Sequence, residues 1–470
     1  MNMKKILSSL AVAGLLLTGC DSYLDVNQNP NYPMTVNNDL VLPSAENFIA
    51  AKLGESLFNA GGFFAQYWDQ AVEANQYNDL AEYNILQTAF NAPYRDLMAG
   101  GLTDLKVVID QATAKESWGD VLAATVLRAY TFQILADALG DIPYTDALKG
   151  SAVPMPAWEA GTNVYAGLIT EIDNALTKVK TGDVISTDLI LDGNLNDWIT
   201  FANVMKLKLY MRESNFDEIG VKNQVMALIN DGKINLTNDI KMGIYEDASE
   251  KRNPWYECNW SGSGLGTINN IASSPIIDYL VDTNDPRISR LFTKSANGNA
   301  WKGLLPGSKT LVTTKTKDYS FPLMTATTPV YFVTVAEVQF FIAEAQLRWG
   351  TDAAAKTAYE AAVSANFDLH GVSGASAFIS NFASWDGAST AAGKIALIGK
   401  QKWVALCMVN HWEAWSEARR LDSPSLLVPA QNYLNDKLVK RFLYPELARN
   451  FNDKTPDEVD ADVNVWWDMN

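Results

Sequence analysis

The chain has 470 residues, 48% of them apolar and 19% charged, a balance that excludes a disordered protein and supplies a large core. Acidic residues outnumber basic ones 54 to 37, giving a formal net charge of −17, and no Lys/Arg cluster stands out. Neutralising phosphates needs the opposite balance, so nucleic acid and anionic membrane surfaces are poor candidates as partners. The 14 Trp and 18 Tyr suit both a ring-rich core and recognition of flat ligands such as sugars.

Lys4 and Lys5 give a basic start, an apolar run follows from Ile6 to Leu17, and small residues close on Leu17-Thr18-Gly19-Cys20. About a dozen apolar residues are too few to span a bilayer, which takes roughly 20, so the stretch reads as an export signal. Ending on a cysteine, it resembles the lipobox of bacterial lipoproteins. Residues 1–19 are then a signal peptide, and acyl chains such as palmitate on Cys20 anchor the rest. No second stretch reads as long enough to cross a membrane. Residues 20–43, rich in Asn and Pro, lack a helical period and read as an extended tether before one domain over 44–470. Of the remaining cysteines, Cys258 and Cys407 match no metal spacing. Export permits a disulfide between them, but Cys407 lies in an apolar helical run and reads as a small core residue.

Ser44 is placed to cap a helix running to about Asn59, with Gly61-Gly62 ending it. A second helix carries Phe63, Phe64, Tyr67 and Trp68 and gives way to the polar Asn75-Gln76-Tyr77-Asn78. Residues 86–112 are helical again, with a kink at Pro93 or Gly100-Gly101. Ser117-x-x-Asp120 opens a helix whose Val121, Leu122, Thr125, Arg128, Ala129, Phe132, Leu135 and Leu139 recur every three or four residues, closed by Gly140 and Pro143. Thr162 caps another, with Tyr165, Leu168, Ile169, Ile172, Ala175, Leu176 and Val179 in one stripe, and helices over 198–211 and 221–229 complete this half.

From about 233 to 329 the periodicity is lost, and Trp255, Tyr256, Trp260, Trp301 and Tyr319 sit among Gly, Asn, Ser and Thr. Thr334-x-x-Glu337 is a capping box that restarts helical structure as far as Trp349. Around Gly350, Ile342 and Ala343 on one side and Ala355, Tyr359 and Ala362 on the other form the small–large pattern of a tetratricopeptide-like hairpin. A long helix is expected from about Lys394 to Arg420, stopped by Pro424. The fold class is mainly α: helical hairpins as scaffold, and an irregular, loop-rich half.

Catalytic signatures are missing. His370 and His411 belong to no His-Glu-x-x-His pattern, and no Gly-x-Ser-x-Gly elbow occurs. Gly262-Ser263-Gly264-Leu265-Gly266 lacks the strand and lysine of a phosphate loop. Asp460-x-Asp462-x-Asn464 opens like a calcium loop but has neither its Gly nor its distal Glu. No cofactor, metal or catalytic residue is assigned. A pair of carboxylates for glycoside hydrolysis has nothing pointing to it.

Several motifs occur in order: Cys20-Asp21-x-Tyr23-Leu24-Asp25-Val26-Asn27-x-Asn29-Pro30-Asn31; Arg128-Ala129-Tyr130 leading to Gly140-Asp141-Ile142-Pro143-Tyr144; Phe201-Ala202-Asn203 with Met211-Arg212; and Asp285-Pro286-Arg287. Ala336-Glu337-Val338 to Ala343-Glu344-Ala345, Glu413-Ala414-Trp415-x-Glu417-x-Arg419-Arg420, Arg441-Phe442-x-Tyr444-Pro445 and Trp466-Trp467 follow. As an ordered set they resemble the SusD/RagB family of Bacteroidetes outer-membrane nutrient-binding lipoproteins, in its SusD-like branch. The resemblance implies a non-enzymatic lipoprotein at the outer membrane, facing the exterior. Its hairpin side would meet a SusC-type TonB-dependent transporter barrel, and its irregular half would carry the ligand, an oligosaccharide.

Glycan-binding members use aromatic rings as platforms, with amide and charged side chains on the hydroxyls. Two stretches here offer that mixture: Trp68, Gln70, Asn75 and Tyr77, and Trp255, Tyr256, Asn259 and Trp260. Trp301 and Tyr319 are further candidates. Arg128, Arg419 and Arg420 are expected to be structural, the last two complementing a helix C-terminus. Peptides or another polymer fragment as ligand, a surface hydrolase, and a structural partner of the barrel are the alternatives.

Overall fold

The computed structural model describes residues 37–262 and 264–470. The signal segment, Cys20 and most of the expected tether lie outside the described residues.

Helix α1 (Asn38–Gly54) begins before Ser44 and runs through Pro43, so Ser44 is an interior residue whose Oγ donates to Asp104 Oδ2 at 2.9 Å. Helix α2 (Ser56–Phe64) continues through Gly61 and Gly62 rather than ending there. The glycines serve packing instead, as α2 lies against the chain at His411 too closely for a Cβ at Gly61. A π-helical turn, Leu97–Leu102, takes up the expected irregularity at Gly100-Gly101 and leads into α3 (Thr103–Ala114). In α4 (Trp118–Leu139) every residue but Trp118 and Arg128 is buried. Contrary to the sequence expectation, α4 is long and apolar enough to cross a membrane, but its burial makes it the central core helix. Ser117 does not cap it; its Oγ donates to Asp120 Oδ2 at 3.1 Å. Helices α5 (Gly161–Lys178), α6 (Leu195–Glu213) and α7 (Glu218–Asn230) follow, with Ala160 rather than Thr162 at the N-cap of α5.

Among the described residues, three small antiparallel pairs pin the loops: β1 (Trp68–Gln70) with β5 (Asn270–Ala272), β2 (Ile142–Pro143) with β3 (Trp158–Glu159), and β4 (Ile240–Met242) with β6 (Val330–Val333). The described part of the region from 233 to 329, expected to be irregular, thus holds short strands and three α-helices: α8 (Pro254–Asn259), a nine-residue helix Ser274–Asp282 and a single turn Ile288–Leu291.

The hairpin expected at Gly350 is formed by α9 (Val335–Trp349) and α10 (Asp352–Leu369), with Ala336, Phe340, Ala343, Ala355, Tyr359 and Ala362 in one apolar cluster. Only half of the expected capping box forms. Thr334 Oγ1 accepts from the Glu337 amide at 3.2 Å, but the Glu337 carboxylate turns inward to Lys208. The single helix expected from Lys394 to Arg420 is two, α11 (Ala391–Leu406) and α12 (His411–Leu421). The chain breaks where Met408 has φ +57° and Asn410 Oδ1 caps α12 by accepting from the Glu413 amide at 3.1 Å.

A buried ion network ties these helices together. Arg212 of α6 donates to Asp137 of α4 at 3.1 Å and to Glu413 of α12 at 2.8 Å, and also meets Glu417. Lys402 of α11 donates to Glu417 at 2.8 Å. Arg420 reaches Glu344 of α9 at 2.5 Å and Glu417 at 2.7 Å. Arg420 therefore belongs to this network, and its neighbour Arg419 lies over the Trp415 ring, 3.7 Å from the centroid, and donates to main-chain carbonyls. Buried charges of this kind persist only where each has a partner.

Candidate ligand surface

Helix α8 sorts its aromatic residues by face. Asn253 Oδ1 accepts from the Tyr256 amide at 3.0 Å to start the helix, and Pro254 follows where its missing N–H costs nothing. Trp255 and Asn259, one turn apart, face the core, and Tyr256 and Trp260, also one turn apart, stay half-exposed. Trp68 of β1 stacks on Trp255 with centroids 5.2 Å apart. Asn59 of α2 holds both indoles: its carbonyl accepts from Trp68 Nε1 at 3.1 Å and its Oδ1 from Trp255 Nε1 at 3.2 Å. The ring series continues outward from Trp255 to Trp260 at 6.3 Å and from Trp260 to Phe321 at 6.1 Å.

Beside these rings runs the polar loop 71–78. Gln70 is buried; its Nε2 donates to the Asn269 carbonyl at 3.2 Å, and its Oε1 accepts from the Tyr77 amide at 2.5 Å. Tyr77 donates its Oη proton to Asn259 Oδ1 at 2.7 Å, leaving its ring half-exposed, 5.8 Å from Phe63. A second loop, 305–311, is clamped over the first. Asp69 Oδ2 accepts from the Gly307 amide at 2.7 Å, and Lys309 donates to the Ala74 carbonyl, to Asn75 Oδ1 and to Asn78 Oδ1. Burial pushes the Asp69 carboxyl up to about 8 and draws the Lys309 ammonium below its usual range. Thr310 Oγ1 bonds Gln431 at 2.6 Å, tying in the segment after α12.

The ten candidate contact residues divide by exposure. Trp68, Gln70, Trp255, Asn259 and Tyr319 are buried, so none presents a face to a ligand here; they form the base. Tyr319 packs with Ala71, Ala74, Ile271 and Leu304, its Oη 2.7 Å from Thr314 Oγ1. Asn75 is exposed, and Tyr77, Tyr256 and Trp260 are half-exposed. Trp301 lines another groove, of about 500 Å³, with Val281, Asn284 and Lys294, whose Nζ stands 5.7 Å from the ring centroid. Sequence reasoning missed Asn78, Lys309 and Phe321. Asn78 adjoins Tyr77 and was within reach, whereas Lys309 sits in a Gly/Ser/Thr stretch with no periodicity to mark it.

The remaining chemistry is quiet. His411 is buried, stacked on Phe58 at 3.7 Å. Its Nε2 accepts from the Met408 amide at 2.9 Å, so Nδ1 carries the proton, directed at the Phe58 carbonyl 3.1 Å away. Burial pushes it down to about 3, and the ring is neutral. Cys258 and Cys407 are free thiols. Among the described residues, no group of three or more His, Cys, Asp or Glu is placed to hold a metal ion.

The chain belongs to the SusD-like family described as starch-binding and associating with the outer membrane, whose family model matches residues 30–445. This is a family of carbohydrate- and nutrient-binding proteins of the outer membrane. Among solved structures, a chitin-binding SusD homologue from Flavobacterium johnsoniae is 22% identical with a TM-score of 0.77, covering 91% of this chain and 98% of its own. A SusD homologue from Bacteroides uniformis is 20% identical with a TM-score of 0.76, covering 92% and 100%. One from Bacteroides vulgatus is also 20% identical, with a TM-score of 0.77, covering 90% and 97%. At these identities the likeness shows the fold. No curated protein matches the sequence.

Proposed function

We propose that the chain is a surface lipoprotein, anchored through Cys20, that captures an oligosaccharide and passes it to a TonB-dependent transporter barrel. Residues 1–19 serve as signal peptide, the following Asn/Pro-rich segment as tether, and the rest as the binding domain. The observation that carries the reading is the half-exposed rings Tyr256 and Trp260 on one face of α8, with Trp260 packed on the closed Trp68–Trp255 base and the half-exposed Tyr77 bonded to Asn259 of the same helix. Sugar C–H faces pack on such rings, and amides bond the hydroxyls. The acidic balance of the chain favours a neutral glycan over a polyanionic one. The chitin-binding relative and the family description support the ligand class.

The protein acts by binding, without turnover. Calorimetry of the protein against starch- and chitin-derived oligosaccharides tests this, with peptides as a parallel series. Saturable glycan binding without product is expected. Binding of peptides alone moves the ligand class to the alternative, and release of product on long incubation overturns the non-enzymatic reading. Cys20→Ala is expected to release the protein from the membrane fraction.

A further inference from the structure

Lys309 is a buried cation whose partners are all neutral oxygens. Its residue exposure is 8%, and its Nζ donates to the Ala74 carbonyl, to Asn75 Oδ1 at 2.6 Å and to Asn78 Oδ1 at 2.7 Å. An ammonium has three donors and no acceptor, so all three of its hydrogens are committed and each partner must present an oxygen. An asparagine amide is nearly symmetric in shape, and its orientation is set only by its hydrogen-bond partners. A donor-only partner removes the ambiguity. With Oδ1 of Asn75 and Asn78 directed at Lys309, their NH2 groups must point away from it. Asn78 Nδ2 has one long contact, 3.5 Å to Asn75 Oδ1. Asn75 is exposed and Asn78 half-exposed, and the two amides lie side by side on Lys309 in the segment that also carries the half-exposed Tyr77.

We infer that Lys309 is a positioning residue that locks the Asn75 and Asn78 amides with their NH2 groups outward, making this rim of the ligand surface a donor edge that selects acceptor oxygens on the sugar. The inference rests on the glycan-binding reading above. It deepens that reading, because hydroxyl, ring and N-acetyl carbonyl oxygens brought to this edge would find an N–H. Lys309 itself touches no ligand. It sits behind the asparagines, held in place because its loop is pinned to β1 through the bond between the Gly307 amide and Asp69.

The decisive variants are Asn75→Asp and Asn78→Asp, singly and together. A carboxylate still accepts from Lys309, more strongly than an amide does, so the clamp is retained while the outward donors disappear. The double variant is expected to melt at or above the wild-type temperature and to bind chitin- or starch-derived oligosaccharides about tenfold or more weakly. Lys309→Met is expected to lose affinity without adding to the loss in the double variant, since it acts only by freeing the orientation of donors that the double variant already lacks. If Lys309→Met fails to fold, the aspartate variants still decide the matter. Wild-type affinity in the folded double variant overturns the donor edge while leaving glycan binding intact. Absence of binding by the wild-type protein to every oligosaccharide overturns both.

Discussion

The indoles of Trp68 and Trp255 stack with their centroids 5.2 Å apart and their planes 19° apart, and neither ring reaches solvent. Both N–H groups end on Asn59, so the pair is a fixed base under the half-exposed Trp260. Trp255→Ala empties a closed site, although Asn59 Oδ1 keeps a donor in Asn270 Nδ2 at 2.9 Å, and it should destabilise the fold by about 3–5 kcal/mol in urea denaturation. Trp260→Ala removes a half-exposed ring and should cost roughly 1 kcal/mol or less of stability while weakening glycan binding. Equal stability losses for the two would contradict the division into base and platform.

Close approach, rather than a helix end, explains Gly61. A Cβ there would stand 2.5 Å from the carbonyl carbon of His411 and 2.6 Å from its oxygen, both main-chain atoms that cannot step aside. Gly61→Ala must therefore push α2 from α12 and disturb the Phe58–His411 stack. A loss of about 1–3 kcal/mol is expected, read as a lower melting temperature and altered near-UV circular dichroism. An unchanged melting temperature would mean that the two elements lie farther apart.

What could be read from sequence divides along similar lines. The hairpin at Gly350 was legible because alanines at close spacing have one use in paired helices, and Ala343, Ala355 and Ala362 meet in one cluster. The break at Cys407–Asn410 was not legible, since apolar periodicity runs through it and the cap is a single asparagine. At the ligand surface, the sequence marked which segments carry rings but not which rings face out. Trp255 and Tyr256 are neighbours in identical polar surroundings, and only the tilt of a short helix buries one and exposes the other. Arg420 read as a helix-terminus charge because its partner Glu344 comes from another helix, although Glu417 lies one turn back on its own helix.

That network gives a third expectation. Arg420 is fully buried, with Glu344 and Glu417 as its anionic partners, and Glu417 is further held by Arg212 and Lys402. Arg420→Met leaves two buried carboxylates short of a cation and should cost about 3–5 kcal/mol. Despite burial, the Arg420, Lys402 and Arg212 charges hold the Glu417 carboxyl well below the usual carboxylate range, and Arg420 lowers Glu344. Groups lowered in the folded state contribute stability above the unfolded carboxylate value, about 4.3, and that contribution is lost as pH falls below it. In Arg420→Met the acid limb of the stability–pH curve should be shallower, and an unchanged limb would count against this source of acid sensitivity.

The opposite sign is expected at Glu46. Four N–H donors converge on Asp188: the amides of Ile190, Leu191 and Gly193 at 2.7, 2.9 and 2.7 Å, and Trp198 Nε1 at 2.8 Å. Asp188 is thus the carboxylate built to carry a negative charge. Glu46, fully buried on α1, accepts from the Leu189 amide, which donates to its Oε2 at 2.8 Å, and its carboxyl also stands within hydrogen-bonding reach of Asp188. Burial first, and the Asp188 charge second, push Glu46 up to about 9, so its carboxyl keeps a proton at neutral pH. The unfolded chain releases that proton near pH 4.3. Between there and about 9 the native state binds the extra proton, so this contribution to stability falls as pH rises, by up to about 1.4 kcal/mol per pH unit. Glu46→Gln keeps the acceptor for Leu189, offers an N–H to Asp188, and has no proton to lose. Its stability relative to wild type should therefore grow steadily from pH 5 to pH 8 in parallel urea titrations. Curves that stay parallel over that range would show that Glu46 ionises alike in the native and unfolded chains.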